Sequence, residues 1–88
     1  MITQNLWTYK LSNSTIVIDS TYGLTAISLV LNSGTGTILG GASLNNGVAS
    51  TQIDLVVGQA LTIPSQSGAN LNNLTITTTG IVNIIGFQ

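Results

Sequence analysis

Eighty-eight residues make one small domain, and only 3 % of them are charged, namely Lys10, Asp19 and Asp54, against about 25 % in an ordinary soluble domain. Without histidine, cysteine or glutamate, the chain lacks the side chains of a Ser–His–Asp or Cys–His centre, a disulfide or an ordinary zinc site. One cation cannot supply a surface that tracks phosphates, which argues against nucleic acid as a partner.

No run approaches the eighteen or so apolar residues of a membrane span, so no membrane is expected either. Met1 to Trp7 has no basic stretch leading into an apolar core, which predicts a protein made in a cytoplasm without a signal peptide. The elements then follow in order. Leu6–Leu11 mixes aromatic and β-favouring residues and predicts a strand. Asn13-Ser14 is a turn signal. Thr15–Asp19 is a second strand, and Tyr22-Gly23 a turn. Leu24–Leu31 alternates, with Ile27, Leu29 and Leu31 opposite Ala26, Ser28 and Val30.

Asn32-Ser33-Gly34 is expected to reverse the chain, with Thr35–Leu39 as the returning strand. Asn46-Gly47 is the dipeptide most favoured in a tight hairpin. Thr51–Val57 sets Ile53, Leu55 and Val57 against Gln52, Asp54 and Val56. Ala60–Ile63 is a short strand with Pro64 at its end, where a missing N–H does least harm. Leu74, Ile76 and Thr78 share one face of the next strand; Thr75, Thr77 and Thr79 share the other. Gly80 breaks that run, and Ile81–Ile85 reads as a strand buried on both faces.

Turn signals every eight to twelve residues or so predict an all-β fold, a small antiparallel sandwich or barrel of jelly-roll type, with little or no helix. A short β-solenoid is the alternative. Ile27–Gly40 and Leu74–Gly86 echo each other as alternating strand, glycine corner and apolar strand, which suggests two similar hairpin halves facing each other.

Asp19-Ser20-Thr21 followed late in the chain by Ile84-Ile85-Gly86 resembles the retroviral aspartic proteases, small all-β dimers. That family needs glycine where Thr21 stands. Asp19 is instead expected to accept turn N–H bonds at a strand end. Asp54 is expected on a solvent face guarding an edge, and Lys10 to be a solvated strand residue. Gly34-Thr35-Gly36 and Gly40-Gly41 lack the following helix and lysine of a phosphate cradle, so they are turns. Asn13-Ser-Thr and Asn73-Leu-Thr match the glycosylation sequon, and without a signal peptide both matches are expected to be accidental. Trp7, Tyr9 and Tyr22 near the start, with Phe87 near the end, are the candidate site residues. They would anchor a core or an interface, or stack on a sugar. No catalytic residue, cofactor or metal is expected.

Edge strands without lysine or proline invite pairing with copies of the same chain. Long uncharged strands such as Leu24–Leu31 and Leu71–Thr79 would make poorly protected edges, so a homo-oligomer is expected. With Leu74-Thr-Ile-Thr77 and Gly80-Ile-Val-Asn-Ile-Ile-Gly86, the Thr/Ser/Asn/Gly-rich chain resembles, from Leu24 to Gln88, small bacteriophage virion proteins. These are capsid decoration proteins and head-fibre or tail-fibre domains, many of them trimeric. The resemblance implies a structural, non-enzymatic role in a virion, with a trimer and other capsid or tail proteins as partners. A carbohydrate-binding or adhesive sandwich is the alternative function.

Overall fold

A computed structural model describes residues 5–41, 50–64 and 68–88. Its strands are β1 (Leu6–Ser12), β2 (Thr15–Ile18), β3 (Ala26–Ser33), β4 (Gly36–Gly40), β5 (Ile53–Asp54), β6 (Ala60–Ile63), β7 (Leu74–Thr78) and β8 (Ile81–Phe87). The one helical piece among the described residues is a 3-10 turn, Ser20–Tyr22. The strands form two four-stranded sheets, ordered β1-β8-β3-β6 and β2-β7-β4-β5. All strand pairs are antiparallel. This is the expected all-β sandwich. Antiparallel ladders exclude the solenoid, and open sheet edges exclude the closed barrel.

The order repeats in both layers for a simple reason. β1 and β2, β3 and β4, and β7 and β8 are each one alternating strand bent by two residues, with its halves in opposite sheets. β5 and β6 likewise lie in opposite sheets at the far edge. The molecule is therefore one antiparallel sheet folded across its middle. Asn13-Ser14, Asn32-Ser33-Gly34 and Gly80 do not turn the chain back onto itself, as the turn signals suggested. They carry it over to the other layer. Their backbone groups are satisfied by the neighbouring corners instead: the Asn13 N–H donates to the Gly80 carbonyl (2.8 Å), Thr78 to Ser14 (3.0 Å) and Thr79 to Thr35 (2.9 Å).

The internal echo is resolved in the same way. Ile27–Gly40 and Leu74–Gly86 are not facing hairpins but adjacent bent strands running in opposite directions. Leu29 lies against Ile84, and Ile38 against Ile76. Their corners touch: a Cβ at Gly80 would stand 2.0 Å from the Ser33 carbonyl oxygen, so only glycine fits. The Thr78 hydroxyl, 3 % exposed, donates to the Thr35 carbonyl (2.8 Å) and accepts from the Gly80 N–H (2.9 Å). A buried hydroxyl without such partners would cost about 1–3 kcal/mol.

Inward positions of the alternating strands fill the space between the layers: Leu11, Ile16, Ile18, Ile27, Leu29, Leu31, Ile38, Ile76, Val82 and Ile84, closed at one end by Leu24. Each such side chain contributes about 1.5–3 kcal/mol by leaving water. Leu24 sits before β3 rather than in it; its carbonyl accepts from Leu71 (2.6 Å).

Three further expectations are corrected. Thr51–Val57 is a strand only at Ile53–Asp54, because the Leu55 N–H donates to Gly36 and the Gly58 N–H to Leu31 as the chain crosses between layers. Ile53 and Val57 are accordingly 55 % and 56 % exposed. β8 is buried on one face only, with Ile85 44 % exposed, since no third layer covers it among the described residues. Finally, the long uncharged strands containing Ala26–Leu31 and Leu74–Thr78 are interior strands; the edges are β1, β2, β5 and β6. Asn46-Gly47 lies outside the described residues.

Candidate functional site

Trp7 and Tyr9 stand two apart on β1 and therefore share a face. Their rings stack with centroids 5.5 Å apart and planes 4° apart. Tyr22 meets the Trp7 ring edge-on, at 5.6 Å and 81°. The 3-10 turn that carries Tyr22 is fixed at both ends. The Asp19 carboxylate accepts from the Thr21 N–H (3.0 Å) and the Thr21 hydroxyl, and Gly23 closes the turn at φ 69° with its N–H on the Ser20 carbonyl. Asp19 is thus a cap, as its position after a strand suggested. Opposite Trp7 lies Gly86, where a Cβ would stand 3.0 Å from the indole and 2.6 Å from Leu24. That glycine lets the indole lie down against the core.

Phe87 is not part of this cluster. It pairs with Leu6 and Ala26, one residue out of phase with Trp7, and so belongs to the outer face of its sheet. Three of the four candidate aromatics come together, and one points the other way. Within the cluster Trp7 is half-buried while Tyr9 is 43 % exposed, with one face on the indole.

The two sequon asparagines, Asn13 and Asn73, are the non-glycine residues with positive φ among the described residues, 46° and 57°. Asparagine tolerates that conformation better than most residues, which accounts for both on conformational grounds. Lys10 is exposed on β1, opposite Asn83. Asp54 is exposed on β5, opposite Thr37. Among the described residues no three of histidine, cysteine, aspartate and glutamate come together; the depression of about 380 Å³ beside β4 has Asp54 as its one titratable lining residue.

Two surfaces were not anticipated from the sequence. The first is the outer face of the β1-β8-β3-β6 sheet. Leu6, Phe87 and Ala26 form one row across it, and Thr8, Ile85, Ser28 and Thr62 the next. Lys10 is its one charge among the strand residues. Reading Ile81–Ile85 as buried on both sides concealed this face; Asn83, the one polar residue at an outward position of β8, was the signal for it.

The second is the free edge of β1. Hydrogen-bonded positions alternate along an antiparallel pair. Bonds from Gln88 to Asn5 (3.2 Å) and from Asn13 to Gly80 (2.8 Å) fix the phase, so Trp7, Tyr9 and Leu11 bond β8. Leu6, Thr8, Lys10 and Ser12 turn their N–H and C=O groups outward, where no described strand pairs with them. On the opposite edge, the Gly58 bond to Leu31 (2.9 Å) sets the phase. Only Ala60 and Thr62 face outward on β6, and Pro64 takes the next such position. Among the described residues the chain presents a strand of unpaired backbone and a face whose one charge is Lys10. No protein-family model matches the chain, and neither a curated protein nor a solved structure matches it significantly.

Proposed function

We propose that the chain is a non-enzymatic structural subunit of a virus particle, a capsid-decorating or fibre protein that works by assembling with copies of itself and binding a protein lattice. The observation that carries this reading is the seven-residue β1 edge beside an outer face that is almost free of charge. Unpaired backbone groups give affinity through added strands. Threonine, serine and aliphatic side chains give contacts that salt does not screen. Of the charged residues, Asp19 caps a turn and Asp54 is exposed on β5, which leaves Lys10 as the one charge on this edge and face.

The test is fractionation of virus particles on a density gradient, followed by mass spectrometry. Peptides of this chain are expected with intact particles and should stay there through a wash in molar salt. Recovery solely as free protein would contradict the reading. The exposed Tyr9 beside Trp7 favours a carbohydrate-binding sandwich as the second reading. A monomer whose tryptophan fluorescence shifts with added glycans would establish that reading in place of the first.

A further inference from the structure

We infer that the occupant of the β1 edge is β1 of a second copy, paired antiparallel about a twofold axis at Tyr9. The inference deepens the reading of an assembling subunit and rests on its self-association. It follows from the phase of the edge. The outward residues are Leu6, Thr8, Lys10 and Ser12, and an antiparallel copy bonds through the same set. One register uses all four: Leu6 faces Ser12 of the second copy, Thr8 faces Lys10, and the reverse. Each such pair exchanges two bonds, about eight in all. A shift of two residues either way leaves three pairs. In one direction it sets Lys10 against Lys10, a like-charge contact that costs stability.

The side chains agree with that register. On the inner face it places Tyr9 against Tyr9 at the axis, in a non-hydrogen-bonded position where side chains stand closest. Trp7 falls opposite Leu11 of the second copy. Every inner-face pair across the junction is therefore apolar. Tyr9, 43 % exposed and stacked on Trp7 at 5.5 Å, is already held in place for such a contact. On the outer face no like charges oppose each other directly. The result is a continuous eight-stranded sheet, with the outer faces of both copies, each carrying Lys10 as its one charge among the strand residues, running into one another. The edge at β6 offers no equivalent, having two outward residues and Pro64.

Three variants test this. The chain has no cysteine, so Tyr9→Cys carries a single thiol. At the axis its Cα would lie about 4.5 Å from its mate, inside the range of about 4.4–6.8 Å that a disulfide spans. Mild oxidation should give a covalent dimer. Ser12→Cys, three residues off the axis and about 20 Å from its mate at strand rise, should not. Thr8→Pro removes an outward N–H and leaves the β1–β8 bonds in place. Its mass by light scattering at micromolar concentration should fall twofold from that of the wild type, with an unchanged circular dichroism spectrum. A wild type that assembles while Tyr9→Cys fails to cross-link, or a closed trimer untouched by Thr8→Pro, overturns the twofold junction and leaves the assembling subunit standing. A monomeric wild type overturns both. Should Thr8→Pro misfold, the two cysteine variants decide.

Discussion

Along one edge of the folded sheet β1 runs for seven residues, with no proline and with Lys10 on its outer face. Along the other, β6 runs for four residues and stops at Pro64, and β5 for two, one of them Asp54. Proline, short strands and charge are the usual ways of keeping a sheet edge from pairing. Among the described residues, the proline, the short strands and one charge, Asp54, stand on one side, while Lys10 stands on the other. Strand length and proline, rather than charge, therefore set the two edges apart: among the described residues β6 and β5 offer little to pair with, and β1 is left open.

That contrast can be broken outright at the fold. Gly80→Ala would drive a Cβ into the Ser33 carbonyl, 2.0 Å away, where backbone and not a mobile side chain must yield. A loss of about 3 kcal/mol or more is expected in urea denaturation, with both edges distorted together. Next in size is the pair Thr8→Pro and Thr62→Pro. Both replace outward-facing residues on edge strands, yet only the first should halve the mass in light scattering. Equal effects would mean that the edges do not differ.

Asp54→Val strips the charge from the closed edge. Velocity sedimentation should then show species larger than the wild type at the same concentration, because β5 loses its protection. The smallest effect is expected at Asp19→Ala. Losing the cap should cost about 1 kcal/mol in urea denaturation and leave the mass unchanged, since the 3-10 turn belongs to neither edge.

Most of the strands were legible in the sequence, because alternation at period two survives any choice of partner. Ile16 and Ile18, Leu29 and Leu31, and Leu74 and Ile76 all point as their spacing predicts. The corners were legible as breaks but not as crossings. Asn13, Gly34 and Gly80 say that a ladder is interrupted; whether the chain then reverses or changes layer depends on corners up to 67 residues away, as at Asn13 and Gly80. Edge identity failed for the same reason. β3 and β7 look unprotected, but their neighbours come from distant parts of the chain and cover both sides. In β5 the alternation of Thr51–Val57 was real, but a chain crossing between layers leaves only Leu55 against the core. Of the candidate site, the Trp7–Tyr9 pair follows from spacing alone. Tyr22 joins it through a capped turn, and Phe87 is excluded by one residue of register with Leu6.

The most direct test is amide hydrogen exchange by NMR, read residue by residue at low and high protein concentration. The outward amides of Thr8 and Lys10 should become protected as concentration rises, while those of Ala60 and Thr62 stay fast. Thr8 and Lys10 exchanging as quickly as Thr62 at every concentration would contradict an open edge that copies of this chain close.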